Sequence, residues 1–162
     1  MGDRRYQERI IMKKLNSYKN TSVNWAKSQA QIGKLLDQVG IQDVRFTFMQ
    51  SQNSVICEFN YPGELNNKAV NIGVRIVQPL KESKNQEQEK NRIHRILYNK
   101  LKSRFLEIQE GTKEFMHVFM ADLVVFDKKG NSSTMAQMIL PQYTRGILTG
   151  EQKEITMIEH KQ

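Results

Sequence analysis

Residues 88–110, QEKNRIHRILYNKLKSRFLEIQE, decide the fold, because they have the pattern of the longest helix in the chain. Apolar residues recur there at steps of three and four positions, and no proline or glycine interrupts them. They are Ile93, Leu97, Leu101, Phe105 and Ile108. Gly111 follows directly and can take the left-handed conformation that ends a helix. We therefore predict a helix from Gln88 to Glu110 that buries one face.

The opposite face of this helix is basic. Between positions 90 and 106 the sequence has six basic side chains and no acidic one. A helical wheel gathers these polar residues away from the apolar stripe: Arg92, Arg95, Asn99 and Lys102. Arg104 instead projects close to the stripe, where an unpaired charge is costly. It needs a carboxylate, a carbonyl, a subunit interface or a phosphate as partner, unless it extends along the stripe to solvent.

The net charge is positive and unevenly distributed. The chain of 162 residues has a formal charge of +8 and a pI of about 9.6. Residues 1–40 contribute +5 and residues 81–110 contribute +3, whereas the remaining segments are neutral. Such a field attracts polyanions, either nucleic acid or anionic lipid. A solvated surface that keeps the protein soluble is the alternative.

The single cysteine, Cys57, excludes an internal disulfide and favours a reducing compartment. The first thirty residues lack the apolar core of a signal peptide, and no apolar run has the ~20 residues that span a membrane. We expect a cytoplasmic protein without a membrane partner. The expected organisation is a basic helix or arm over 1–20, one domain over 21–150 and a tail over 151–162.

Three segments between the flanking helices alternate between apolar and polar residues, as half-buried strands do. Their apolar members are Val44, Phe46, Phe48, Val55, Cys57, Phe59, Val70, Ile72, Val74 and Ile76. Short links imply an antiparallel meander, and residues 61–64, YPGE, are predicted to end the second strand. One uniformly apolar face must pack against helices. The predicted class is α+β: a three-stranded antiparallel meander with helices packed on one face and a long central basic helix.

Further helices are predicted on both sides of this core. One runs from Trp25 to Val39, capped by Ser22 or Asn24 and ended by a Schellman motif at Gly40 and Ile41. Another covers 112–123, and residues 123–126 form a small strand. After a turn at 127–130, a short helix over 134–140 is capped by Ser132 or Ser133 and stopped by a proline.

The chain resembles a group of small uncharacterised proteins encoded by phages and prophages. Two pieces carry the resemblance, each made mostly of core and basic positions. The first is Ser28-x3-Ile32-x2-Leu35-Leu36-x3-Gly40, and the second is Arg92-x2-Arg95-x5-Leu101-Lys102-x-Arg104-x3-Ile108-x2-Gly111-x3-Phe115-x3-Phe119-Met120-x2-Leu123, then Asp127 and Gly130. His94 stands where the group has tryptophan. The resemblance implies a phage or mobile-element origin and no established activity.

Catalytic signatures are absent from the sequence. It has no P-loop, dinucleotide fingerprint or G-x-S-x-G elbow. His94, His117 and His160 lack ligand-spaced neighbours, and the first two fit packed positions on helices. The strand pattern places the side chain of Cys57 on the core-facing side, so we expect a buried and unreactive thiol. A nuclease would have to use Glu58, Asp43 and Glu64, or the E-x-K fragment at 82–84, which falls in a linker. We therefore expect a protein that has no enzymatic activity and binds no metal or cofactor.

The basic helix then carries the functional prediction, a sequence-tolerant nucleic-acid-binding protein. The candidate contacts to phosphates are Arg92, Arg95, Lys100, Lys102, Arg45, Arg75, Arg4, Arg5 and Arg9. A single strand is favoured, with Tyr98 as a stacking residue. The alternative is an interaction protein, a homo-oligomer or host inhibitor whose basic surface meets an acidic protein.

Overall fold

The structure is a computed structural model and describes residue 18 and residues 21–148. The predicted N-terminal arm and C-terminal tail therefore lie almost wholly outside the described residues. In chain order the elements are α1 (Trp25–Gln38), β1 (Val44–Met49), β2 (Ser54–Leu65), β3 (Lys68–Pro79), α2 (Gln86–Gln109), α3 (Phe115–Phe119), β4 (Val124–Phe126), β5 (Ser132–Thr134) and α4 (Met135–Leu148). Short 3-10 turns cover Gln50–Gln52 and Met120–Asp122.

The predicted α+β class is confirmed. The strands pair antiparallel in the order β1-β2-β3, so that Phe46 lies opposite Cys57 and Cys57 opposite Ile76. Because side chains alternate along a strand, these residues share one face of the sheet. That face packs against α1 and α2, and the buried cluster includes Ile32 of α1 and Leu97 of α2. The opposite face has the polar positions of the same strands.

The second and third strands are longer than predicted. Residues 61–64 do not end β2, which continues to Leu65 and pairs with β3 over its whole length. β1 pairs with β2 only up to Phe59, so Pro62 has a neighbouring strand on one side only, where prolines within sheets are tolerated. Asn66 and Asn67 have φ values of 52° and 59° and close the hairpin. Asparagine tolerates this left-handed turn, which matches the strand twist.

The two long helices start and stop close to the predicted positions. Asn24 caps α1, since its side chain accepts from Ala26 N at 2.7 Å. The Schellman ending is also present, with Gly40 at φ 81° and Ile41 N donating to Leu36 O at 2.9 Å. α2 begins two residues before the predicted Gln88 and ends at Gln109. Its cap is the side chain of Asn85.

The segment after α2 departs most from the predictions. The helix expected over 112–123 is reduced to α3 and the following 3-10 turn, and residues 132–134 form β5 instead of starting a helix. Pro141 does not stop the last helix, because α4 continues through it to Leu148. A proline removes one helical hydrogen bond, which a helix can lose at a kink. Thr134 N donates to Gln137 Oε1 and Gln137 N donates to Thr134 Oγ1, so a capping box starts α4.

The β4–β5 hairpin lies against β3. Leu123 bridges to Val74, and Gly73 faces Val124, whose Cβ would lie 3.3 Å from a Cβ built on the glycine. A side chain at position 73 would therefore require Val124 to shift by a few tenths of an ångström. Within the described part of the chain, no helix is both long and apolar enough to cross a membrane.

Candidate nucleic-acid interface

Arg45 and Arg75 lie on the polar face of the sheet and share one carboxylate. Both are in register with Glu58, and their Nε atoms donate to it at 2.9 and 2.7 Å. Arg75 also donates to Ser132 Oγ at 3.1 Å. Burial raises the pKa of Glu58, but the hydrogen bonds from the two guanidinium groups outweigh this and lower the pKa overall. Two of the predicted phosphate contacts therefore carry a net charge of only +1 with their partner.

Arg92 is paired and largely buried. Its Nε and Nη2 donate to Glu89 at 2.8 and 2.6 Å, and the side chains of Arg92 and Glu89 are only 13% and 8% exposed. Glu89 also accepts from Lys81 N at 2.9 Å, which fixes the link between β3 and α2. The hydrogen bonds from Arg92 lower the pKa of Glu89 more than burial raises it. This geometry gives Arg92 a structural partner within its own helix.

The remaining predicted residues of α2 differ in their surroundings. Arg95 donates to Gln31 Oε1 at 2.8 Å and lies 4.9 Å from the ring centre of Tyr98, without a carboxylate partner in the described part of the chain. Tyr98 itself packs against the core, so it is not a free stacking platform. Lys102 is exposed. Lys100 is half-buried, and burial, together with Arg104, lowers its pKa.

Arg104 has a carboxylate partner, which is one of the alternatives that the sequence left open. Its Nη1 lies 2.7 Å from Asp122 Oδ2, and its guanidinium group lies 5.0 Å from the ring centre of Phe119. The charge is thus compensated at the edge of the apolar core. It is not available for a ligand without breaking this ion pair.

The predicted cations do not form one continuous surface among the described residues. Arg45 and Arg75 alternate with core-facing residues of β1 and β3, so they lie on the side of the sheet opposite α2. The sheet and helix members of the predicted set therefore do not share a surface within the described residues. Arg4, Arg5 and Arg9 lie outside the described residues.

A different group of cations is brought together by the two long helices. α1 and α2 run side by side in the same direction, since Trp25 N donates to Asn91 and Gln31 accepts from Arg95 further along both helices. Their outward faces display a set that we call the helix surface: Lys27, Lys34, Arg95 and Lys102. The three lysines are exposed, and none of the four has a carboxylate partner within residues 21–148. Asp37 is the exposed acidic residue of α1.

The N-terminal halves of the same helices frame a pocket with β1 and β2. Its volume is about 270 Å³, and we call it the aromatic pocket after its four rings, Trp25, Phe46, Phe48 and His94. Gln29 and Lys90 also line it. No local sequence pattern marks this pocket, because residues of four elements, α1, β1, β2 and α2, line it together. Phe48 was interpreted as a core residue but is 42% exposed.

The carboxylates considered for a nuclease have other surroundings. Glu58 is held by two arginines, and within residue 18 and residues 21–148 no group of three His, Cys, Asp or Glu side chains could hold a metal ion. Cys57 is fully buried, and burial and the neighbouring Glu58 raise its pKa to about 12, which keeps the thiol protonated. His94 is buried as predicted, whereas His117 is exposed and His160 lies outside the described residues. This geometry offers no activated nucleophile at Cys57.

Comparisons with family models, curated proteins and solved structures give no match for this chain.

Proposed function

We propose that the protein binds single-stranded nucleic acid through the helix surface, with little dependence on base sequence. The observation that carries the proposal is the position of Lys27, Lys34, Arg95 and Lys102 on two adjacent helices without carboxylate partners in the described part of the chain. A cation without an internal partner can exchange its counterion for a phosphate, and the released counterion favours binding at low salt.

The spacing of these cations suits a chain of phosphates. Lys27 and Lys34, like Arg95 and Lys102, are seven positions apart, which places each pair about 10 Å apart along its helix. Neighbouring helices pack with axes about 8–10 Å apart. The four charges thus outline a patch on which a flexible strand can contact several phosphates. Arg4, Arg5 and Arg9 add to the positive charge of the chain.

A single strand is favoured over a duplex because the same two helices frame the aromatic pocket. Unpaired bases can turn out of their stack and contact rings, whereas paired bases cannot do so without unpairing.

Salt-titrated binding to a fluorescent single-stranded 12-mer tests the proposal. Each lost phosphate contact on a single strand removes roughly 0.7 from the slope of log affinity against log salt. Lys27→Gln/Lys34→Gln is therefore expected to lower the slope by about 1.4 and to weaken binding. The matched control is Lys128→Gln/Lys129→Gln, which removes the same charge from the exposed β4–β5 turn.

Two outcomes would contradict this function. If the two double variants lose equal affinity and equal salt slope, net charge alone drives binding. Absence of binding at low salt would leave an acidic protein as the better candidate partner for the helix surface.

The second candidate function is a protein interaction through α4. Met138, Ile139 and Leu140 are consecutive in this helix and are 44%, 46% and 58% exposed. Exposed apolar residues over so wide an arc are typical of a helix that packs on a partner. Sedimentation velocity over a concentration range tests for self-association. A mass that rises with concentration, and falls to the monomer in Ile139→Lys/Leu140→Lys, would support it, and a constant monomer would count against it.

A further inference from the structure

The aromatic pocket presents an unusual combination of buried and exposed rings. The ring centre of His94 lies 5.8 Å from that of Trp25 and 6.1 Å from that of Phe46. Phe48 lies on the same face of β1 as the core-facing Phe46 and would be expected under the helices, yet it is 42% exposed. The structure therefore leaves an apolar ring surface uncovered at the pocket wall. Planar aromatic ligands gain both burial and stacking from such a ring.

The polar side of the pocket is oriented by His94. Its Nδ1 lies 2.8 Å from Lys90 O, so this nitrogen has to carry the hydrogen. Nε2 is then the acceptor, and the Nε2 amide group of Gln29 donates to it at 3.0 Å. Burial, the largest influence, lowers the pKa of His94 and keeps the ring neutral near pH 7.

This hydrogen bond fixes the amide of Gln29 and leaves part of it available. An amide has two N–H donors and a carbonyl acceptor. With one donor used by His94, Gln29 keeps one N–H and its Oε1 without a partner among the residues that the structure describes. A side-chain amide with an adjacent donor and acceptor is complementary to a nucleobase edge, as glutamine is to adenine N6 and N7.

We propose that the aromatic pocket receives one unpaired nucleobase, which stacks on Phe48 and forms hydrogen bonds with the amide of Gln29. Lys90 Nζ lies over one face of the Phe48 ring, 4.7 Å from its centre, so the base would stack on the opposite face. The inference rests on the proposed function, because the helix surface supplies the contacts to the other phosphates. It adds a base contact to a surface that otherwise recognises only the backbone.

Trp25 provides a direct signal for occupancy, because it is the only tryptophan of the chain and lines the pocket. Three probes are used: a (dT)12 strand, an abasic 12-mer of equal charge, and free thymidine or adenosine at millimolar concentration. We expect (dT)12 and the nucleosides to quench Trp25 fluorescence saturably and the abasic strand to bind without quenching. Loss of one stacked base is worth about 1–3 kcal/mol, so the abasic strand should bind roughly 5- to 140-fold more weakly than (dT)12.

Substitutions assign the contact to particular side chains. Phe48→Ala and the milder Phe48→Leu should reduce affinity for (dT)12 toward that of the abasic strand, while leaving the abasic strand unaffected. The matched control is Phe126→Ala on β4, because Phe126 is 71% exposed and lies outside the pocket. Gln29→Leu should weaken the binding of (dT)12 about 2- to 10-fold, which corresponds to the net contribution of one hydrogen bond.

The outcomes separate this inference from the proposed function. If (dT)12 and the abasic strand bind equally, with the same salt slope and no quenching, the pocket holds no base although the helix surface binds. In a second outcome, strands do not bind, but nucleosides quench Trp25 fluorescence in the unchanged protein and not in Phe48→Ala. The pocket is then a base site, and the proposed binding of phosphates by the helix surface is wrong. If neither strands nor nucleosides act on Trp25, the inference is overturned.

Discussion

The ion pair between Glu89 and Arg92 makes the sharpest prediction, because it decides whether Arg92 belongs to the fold or to the interface. Glu89 accepts from Lys81 N and from two nitrogens of Arg92, and both side chains are largely buried. Removing either partner would leave the other charge buried without compensation. Glu89→Ala also loses the hydrogen bond that holds the link from β3 into α2.

The cost follows from this arrangement. Breaking a buried ion pair by removing one partner typically destabilises a protein by about 3–5 kcal/mol. We expect about 3 kcal/mol for Glu89→Ala and for Arg92→Ala, because both side chains keep some contact with water. The double variant should cost less than the sum of the two, with a coupling energy of about 1–3 kcal/mol. In a chain of this size, 3 kcal/mol corresponds to a loss of about 6–12 °C in Tm.

Urea unfolding followed by circular dichroism measures these free energies, and oligonucleotide binding by the same variants completes the test. Arg92→Ala should bind the single strand with an unchanged salt slope while losing stability. Lys34→Ala serves as the opposite control. Because Lys34 is exposed, its removal should lower the salt slope of binding and leave the free energy of unfolding unchanged. An Arg92→Ala protein of normal stability and reduced salt slope would refute the structural role given to this residue.

Three further predictions concern other parts of the fold. Glu58 and Glu89 have folded-state pKa values below their usual 4.5, so the stability they contribute should be present above pH 4.5 and be lost as the pH falls below it. The free energy of unfolding, measured between pH 7 and 3, checks this. Glu89→Gln should make that free energy depend less on pH. Cys57 is fully buried with a pKa of about 12, so a thiol reagent should label it only when urea opens the protein, and fast labelling of the native state would contradict this burial. Gly73→Val should destabilise by about 1–3 kcal/mol in thermal unfolding, because its side chain would meet Val124, and a neutral effect would show that the hairpin does not lie there.

The sequence predicted the elements whose signals are local and periodic. The apolar stripe of α2, the alternation of the strands and the glycine endings at Gly40 and Gly111 depend on neighbouring residues, and the structure has them. Two of the boundaries that failed involve prolines. Pro62 was taken to end β2 and Pro141 to end the last helix, but what surrounds a proline decides its effect, and a single sequence does not show this.

The candidate interface was less predictable, because partners across the fold neutralise charges. The pair of Glu89 and Arg92 has a helical spacing of three, a signal available in the sequence. Glu58 could be placed between Arg45 and Arg75 only once the register of the strands was known. The ion pair of Arg104 depends on the 3-10 turn after α3, which no local pattern marks.

The side-by-side packing of α1 and α2 has a consequence for synthesis of the protein on the ribosome. α1 is made first, but the helix that covers its apolar side begins at residue 86, some sixty residues later. At about 5–20 residues per second, this interval lasts on the order of 3–12 s. A helix of this length is marginal in water on its own, and until α2 is made only the sheet can cover Ile32 and Leu36. Slowing translation between β3 and α2 should therefore increase the dependence of this protein on chaperones.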